Sequence, residues 1–494
     1  MPASPLHRDA TGRQDRRALI LIFCTFTLCY AYFFQGGGYN QNSHFDTVRA
    51  LVERGTTEIT AYADNTGDIG VVKGRVYSNK PPGLAFLGAP LYFVAYRLER
   101  GLGLDPAGAM QVAVNAHLLT FWTSGFPGVV LVLLLYRHFR GQGATPREGL
   151  WLAAAFGLGS LGLPYSGVMM NHLLLACLLF AAWSLLIRAP LSRQAALLAG
   201  LLSGMAIMTD SLSVPAVVLF FFYVAVRRVQ VSPFFLLGAA LLTGALLAYN
   251  YASFGSPFIN NKSIETAAFR TPGHLFGLLD WPQPIRLFWL TFHPFRGLFL
   301  CCPVLLVSFL SIRLCRPVWA VPLETAIPLA IVAYHFLFNM SFNGWTGGYG
   351  VGPRYLIPAL PFLFSFALAG SRRFRIVTAA LAALSAAMMV TVSAVLVMVP
   401  GPNEGPPPFF SPVRFCLDYL GAGLISVWTT GMLDIRPTFS DDRKWASYNL
   451  GELVGLHGVA SLIPIGLVLL GFVLLARRLT GESATGGHGR LTHT

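Results

Sequence analysis

Two basic residues stand where they are best suited to hold an anion: Lys80 in Lys80-Pro81-Pro82, and Arg354 in Gly352-Pro353-Arg354-Tyr355. The two prolines fix φ and remove two backbone donors, so the chain after Lys80 is stiff and extended. Five glycines among residues 344–352 let backbone N–H groups come close to a ligand. Pro353 suits a first helical turn, and the amino end of a helix favours negative charge. Arg354 adds a two-pronged phosphate donor. The bland alternative is a snorkelling lysine and an interfacial arginine on a flexible loop. Two cations offered at one depth by separate loops favour a phosphate site instead, with Gly352 and Tyr355 beside Arg354. Arg296, in Phe292-His293-Pro294-Phe295-Arg296-Gly297-Leu298, is placed to assist.

A base would have to come from the acids of residues 36–83, namely Asp46, Glu53, Glu58, Asp64 and Asp68. Glu53 and Glu58 read as solvated acids of a helix face and a turn. Asp46 follows His44 at the start of a short helix through Ala50 and Leu51. Asp68 is joined to Lys80 by residues 69–79, which fold back as a hairpin around Lys73-Gly74 if Asp68 is to reach the lysine. Both acids stay open as candidates, with Asp68 slightly preferred. Asn42, His44 and Trp345 are further candidates. His44 with Asp46 is a single pair, so a divalent metal is compatible with the sequence but not indicated, and no cofactor is implied. Asp210, between two apolar runs, reads as a buried packing group, and His117 and His172 as interior polar groups.

These residues need a scaffold, and composition names it. The chain has 494 residues, 54% hydrophobic and 11% charged, with a mean hydropathy of +0.60. Soluble domains carry about 25% charged residues, so this is an all-α polytopic membrane protein. Runs of roughly 17–25 apolar residues span a bilayer as helices. About twelve are expected, at 18–35, 108–136, 149–164, 171–187, 195–209, 212–226, 233–252, 294–312, 320–340, 354–370, 376–399 and 456–476.

The net charge of +14 is one-sided once the runs are threaded with the amino terminus inside. Inner segments then hold 19 of the 35 Lys/Arg but only 5 of the 21 acids. That is the positive-inside pattern, and nucleic acid is not implied. Segment 84–98 is expected along the outer interface as an amphipathic or re-entrant helix, with Tyr92 and Tyr96 at headgroup depth. Counting it as a span would turn Arg137, Arg188, Arg227 and Arg372 outward. The organisation is a tail at 1–17, one transmembrane domain at 18–478 with outer loops 36–107, 253–293, 341–353 and 400–455, and a tail at 479–494. The tails are expected to be irregular. The outer loop after Pro400 and Pro402 is expected to hold a little helix around 411–430. The seven cysteines, Cys315 among them, form neither a zinc pattern nor a disulfide framework.

An acidic first outer loop ending in Lys80-Pro81-Pro82, a surface helix after it, and Gly352-Pro353-Arg354-Tyr355 later on this scaffold resemble the class C (GT-C) glycosyltransferase superfamily. Within it, the chain is similar to the bacterial protein O-mannosyltransferase and aminoarabinose transferase branch. The resemblance is specific at Lys-Pro-Pro and topological elsewhere. The family's Asp-Glu pair after the first span is here Gln41-Asn42, which cannot act as a base. What the resemblance implies is inverting transfer of a sugar from a polyprenyl-phosphate donor to a glycan, lipid or protein acceptor. The reaction would occur on the outer, periplasmic face of the bacterial inner membrane, with both termini cytoplasmic. The competing class is a transporter or flippase of a lipid-linked or anionic solute, which often shows repeated halves; no repeat is evident here.

Overall fold

A computed structural model describes residues 5–259, 261, 263–266, 270–313, 322–399, 401, 406–427 and 446–481. Cys315, Pro400, Pro402, residues 428–445 of the last expected outer loop and residues 482–494 lie outside the described residues.

Helix α1, Pro5–Tyr32, opens the chain, so residues 5–17 are helical and not an irregular tail. Strand β1 (Phe33–Gln35) and helix α2 (Tyr39–Arg49) follow. Strands β2 (Ile69–Val72) and β3 (Arg75–Ser78) then form the hairpin expected around Lys73-Gly74. Lys73 and Gly74 have φ of 51° and 77°, the backbone that two-residue hairpin turns require. Helix α3 (Gly83–Gly101) starts directly after Lys80-Pro81-Pro82.

The bundle continues with α4 (Ala109–Thr120) and α5 (Phe126–Gly141), joined without a break. Next come α6 (Pro146–Gly159), α7 (Gly162–Ser166), α8 (Asn171–Leu186), α9 (Arg193–Thr209), α10 (Val214–Arg228) and α11 (Ser232–Phe254). Helix α12 is Pro284–Thr291. The expected run 294–312 is broken into α13 (Leu298–Cys301) and α14 (Leu306–Arg313). Helix α15 (Leu323–Ser341) leads into the glycine-rich loop. After it lie α16 (Leu360–Phe364), α17 (Ala367–Arg373) and α18 (Arg375–Val395). Helix α19 (Pro412–Gly421) matches the little helix expected near 411–430. Strand β4 (Ser447–Asn449), α20 (Leu450–Leu453) and α21 (Ile463–Gly481) close the described chain.

Among the described residues, five helical stretches are long and apolar enough to cross a membrane: Ala109–Gly141, Ser211–Phe254, Leu323–Ser341, Arg375–Val395 and Gly458–Leu479. A sixth results if Arg354–Phe364 and Ala367–Arg373, bent by 65°, count as one span. Of the other runs expected, 18–35 lies largely in the 28-residue α1, which carries charged residues in its first half, and the rest are shorter or broken helices.

Helix α3 differs from its expected role in one respect. Its outer face is apolar and exposed at Phe93, Val94 and Leu98, as an interfacial helix requires, but Tyr92 is fully buried. The Tyr92 hydroxyl donates to Glu53 at 2.7 Å, and Tyr62 donates to the same carboxylate at 3.0 Å. Arg49 pairs with Glu53 at 2.8 Å. Glu53 is therefore the centre of a polar knot between α2 and α3, not a solvated acid.

Ion pairs gather at the other end of the bundle. Asp15 meets Arg140 at 2.7 Å, Glu148 meets Arg372 at 2.9 Å, and Arg227 meets Glu324 at 2.5 Å. Each pair joins two segments that the charge count puts on the same side.

Candidate active site

The hairpin delivers the first cation. Asp68 stands just before β2 and Lys80 two residues after β3, so antiparallel pairing from Ile69 with Ser78 brings them together. The Lys80 ammonium lies 3.0 Å from the Asp68 carboxylate, and the two side chains are only 11% and 14% exposed. Helix α2 fixes this unit from behind. The Ser43 hydroxyl donates to the Asp68 carbonyl at 2.7 Å and lies 2.6 Å from the Ser78 hydroxyl. Asn79 donates weakly to the Asp68 carboxylate at 3.4 Å and more closely to Glu265 at 3.0 Å. Glu265 sits in the loop between α11 and α12 and is 8% exposed. A backbone bridge from Gly70 holds it there. Nothing local in its sequence marks Glu265, because only the approach of that loop to β2 gives it a place.

Gly83 sets the distance from the hairpin to the bundle. A Cβ there would lie 2.7 Å from the backbone nitrogen of Thr209, an approach no larger residue permits without a shift. The contact seats Lys80-Pro81-Pro82 against the end of α9, where Asp210 caps the next turn and accepts from Asn171 at 2.7 Å. His172 follows on α8, its ring edge-on to Tyr355 at 5.4 Å between centroids.

Arg354 supplies the second cation. Its Nη2 donates to the Tyr355 hydroxyl at 3.4 Å and its Nη1 to the Met170 sulfur at 3.5 Å, both weak contacts. Its Nε is enclosed and has no partner among the described residues. The side chain lies across Gly347, where a Cβ would come within 3.0 Å of Nε. Gly347 also has φ +74°, so two constraints ask for glycine at this position. Lys80, Arg354 and His44 all lie within electrostatic reach of His172. Arg354 is likewise within reach of Asp68. Asp68 and His172 are thus each within electrostatic reach of both cations.

Other expected ligands of the anion have different roles. Arg296 is fully buried. Its Nε donates to the Thr346 carbonyl at 2.6 Å, and Nη1 and Nη2 donate to the carbonyls of Gly350 and Gly348. It clamps the glycine-rich loop and does not present its guanidinium to a substrate. Gly352 is buried, and a Cβ there would collide with Leu161, so it serves packing. The loop also spends its own donors: the N–H groups of Gly344, Gly347, Gly348 and Gly350 go to Asn343, Gly344, Thr346 and Val399. The segment after Pro353 is a 3₁₀ turn, Arg354–Ala359, not the amino end of an α-helix. Trp345 is 1% exposed and stacks on Trp289 at 5.1 Å.

Asp46 is shut away. It is 0% exposed, accepts only from Asn65 at 3.4 Å, and has one carboxylate oxygen without a partner among the described residues. Burial pushes its pKa well above the ordinary carboxylate value. Asn42 is also buried and donates to the Asn65 carbonyl at 2.8 Å, which ties α2 to the turn before Asp68. His44 is buried on the same helix. Among the described residues no three His, Cys, Asp or Glu side chains cluster as metal ligands.

No family model and no curated protein matches the chain. Solved structures do. The crystal structure of ArnT from Cupriavidus metallidurans in the apo state aligns over 95% of this chain and 78% of its own, at 14% identity and a TM-score of 0.50. The same protein bound to undecaprenyl phosphate aligns over 95% and 77%, at 13% identity and a TM-score of 0.48. The archaeal oligosaccharyltransferase AglB from Archaeoglobus fulgidus, in complex with an inhibitory peptide and a dolichol-phosphate, covers 82% of this chain and 53% of its own, at 12% identity and a TM-score of 0.45. This chain shares the fold of apo ArnT.

Proposed function

We propose that this chain is an integral-membrane glycosyltransferase that moves a sugar from a polyprenyl-phosphate donor to an acceptor hydroxyl on the outer face of the inner membrane. One observation carries the reading: Arg354 is a half-buried guanidinium whose Nε is enclosed without a partner among the described residues, within electrostatic reach of the Asp68 that pairs with Lys80. A half-buried guanidinium without an acid or a set of carbonyls loses hydration that nothing replaces, and a phosphate offsets that loss with charge-assisted hydrogen bonds. The shared fold with apo ArnT supports the class.

In this reading the donor phosphate takes Lys80 and Arg354 as its cations. Lys80 turns from Asp68 toward the phosphate, and the Asp68 carboxylate becomes available as a base. The acceptor oxygen attacks the anomeric carbon while its proton passes to Asp68. The bond from that carbon to the phosphate oxygen breaks, and the polyprenyl phosphate leaves with the electron pair as an anion. Cations suit such a leaving group better than an acid does. A single displacement inverts the anomeric centre. Glu265 and Asn79 hold Asp68 in place, and Tyr355 with His172 walls the site. The face follows from the charge count: the end bearing Arg140, Arg227 and Arg372 is cytoplasmic, which puts Lys80 on the opposite side.

The test is transfer from a synthetic polyprenyl-phosphate sugar by the purified protein. Turnover lost in both Asp68→Asn and Lys80→Ala supports the assignment, and normal turnover in either variant overturns it.

A further inference from the structure

A cavity lies at the end of the bundle away from the Lys80 hairpin. Helices α6, α18 and α21 enclose a cavity of about 830 Å³, near the upper end of the ~300–1,000 Å³ usual for ligand clefts. Its interior is apolar, with Trp151, Leu158, Ala382 and Ala386 on two helices and Phe472 and Val473 on the third. Its mouth is basic, with Arg147, Arg372 and Arg375. Arg372 is already bound to Glu148 and to the Gly143 carbonyl at 2.9 Å. Glu148 is held down to about 2, chiefly by that hydrogen bond, so it stays ionised and neutralises Arg372. Arg147 and Arg375 are exposed and make no ion pair among the described residues. Thr378, one turn past Arg375 on α18, also lines the cavity, and its hydroxyl has no partner among the described residues.

The helices that build this cavity show how far it lies from the donor site. Helix α18 begins at Arg375 and ends at Val395. Four residues later the Val399 carbonyl receives the Gly350 N–H of the glycine-rich loop. Helix α6 runs the same way, from Pro146 to Gly159, and Leu161 beyond it packs on Gly352. At about 1.5 Å per residue, α18 separates the two ends by about 30 Å, the thickness of a bilayer core. A donor with its phosphate at Lys80 and Arg354 cannot also place that phosphate at Arg147 and Arg375.

We infer that this cavity binds an anionic glycerophospholipid of the leaflet opposite the donor site, its phosphate between Arg147 and Arg375 and its acyl chains against Trp151 and Phe472. Charge complementarity selects the occupant. A zwitterionic lipid brings a cation to an already basic mouth, whereas an anionic headgroup satisfies two arginines that make no ion pair among the described residues. The bound lipid would tie α21 to α6 and α18, where side chains alone leave a gap.

The experiment uses the full chain, delipidated in detergent. Native mass spectrometry follows its titration with phosphatidylglycerol, phosphatidylcholine of the same acyl chains, undecaprenyl phosphate and inorganic phosphate. Wild type should bind one phosphatidylglycerol at least about tenfold more tightly than phosphatidylcholine, a preference worth one charged hydrogen bond or more. Arg147→Ala/Arg375→Ala should lose that preference, and Lys80→Ala should keep it. Ala382→Phe, which narrows the cavity but keeps the arginines, should weaken both lipids and decides the matter if the double variant does not fold. Equal binding of the two phospholipids by wild type, or an unchanged preference in the double variant, overturns the proposal. So does undecaprenyl phosphate competing for the same arginines, or lipid binding undiminished in Ala382→Phe.

Discussion

Lys80 and Asp68 stand 3.0 Å apart where the chain enters and leaves one hairpin, each largely enclosed. A donor phosphate and Asp68 therefore compete for one ammonium group. Lys80→Ala should weaken undecaprenyl phosphate binding about 10–150-fold, the equivalent of ~1.5–3 kcal/mol for a charged hydrogen bond. Arg354→Ala should do the same, and the double variant should lose less than the product, because both cations serve one anion. Microscale thermophoresis of the purified variants measures this. Full additivity would mean two separate sites.

The second prediction separates the two candidate acids. Asp68→Asn should lower turnover by about 100-fold or more while donor binding is retained or strengthened, since Lys80 no longer has a competing partner. Asp46→Asn should leave turnover within a few fold, because Asp46 is fully enclosed. Steady-state transfer assays on the two proteins give opposite results if Asp68 is the base.

Asp46 gives the third prediction, on stability and pH. Burial raises its folded pKa above the unfolded value of about 3.9. The ionised form is thus penalised in the native state only. Below pH ~4 the group is protonated in both states and adds no penalty. As pH rises toward and through the folded pKa, wild type loses stability relative to Asp46→Asn. The apparent Tm of Asp46→Asn should exceed that of wild type at pH 8, and the gap should close toward pH 4. A gap that widens on acidification would show that the carboxylate is stabilised by partners, not strained by burial.

Much of this site follows from local sequence. The hairpin that joins Asp68 to Lys80 rests on turn chemistry at Lys73-Gly74, which needs no distant contact. Lys80 and Arg354 stand out because a cation beside an apolar run has few uses. Arg296 looks the same by those criteria, yet its donors go to carbonyls about 50 residues along the chain, and a sequence does not show whether a guanidinium is already committed. Glu265 is the reverse case, an unremarkable loop acid until Gly70 bridges to it. Tyr92 was expected among headgroups because aromatic residues collect there, but Glu53 lies within its reach and binds it inside. The apolar pattern located the helices. Their breaks, at 302 and between Phe364 and Ala367, depend on packing against neighbours.

Arg296 supplies a fourth prediction. Arg296→Ala leaves three loop carbonyls without their shared donor, at a cost of at least about 3 kcal/mol. It should lower the apparent Tm and also donor affinity, since Arg354 lies across the same loop. Arg296→Lys should not rescue, because one ammonium cannot reach three carbonyls in the plane of a guanidinium. Rescue by lysine would show that only the charge matters.

The fifth prediction concerns the faces of the membrane. In a background whose native cysteines are replaced, Leu102→Cys at the exposed end of α3 should react with an impermeant maleimide in intact spheroplasts. Arg147→Cys should react only after lysis. The opposite labelling pattern would invert the orientation and move the proposed reaction to the cytoplasmic face.

The pairing of β1 with β4 joins Phe33–Gln35, just past the first helix, to Ser447–Asn449, just before α20 near the end of the described chain. Gln35 also accepts from the N–H groups of Val397 and Met398, which lead to Val399 against the glycine-rich loop. A nascent chain leaves the ribosome from its amino end, so β1 must wait more than four hundred residues for its partner. Contacts of such long sequence separation form slowly and late. The hairpin with Lys80 and Asp68 is complete early, but the frame around Arg354 closes only when the last helix is in the bilayer. A ribosome-stalled or carboxy-truncated chain should therefore have a folded first loop and no competent anion site.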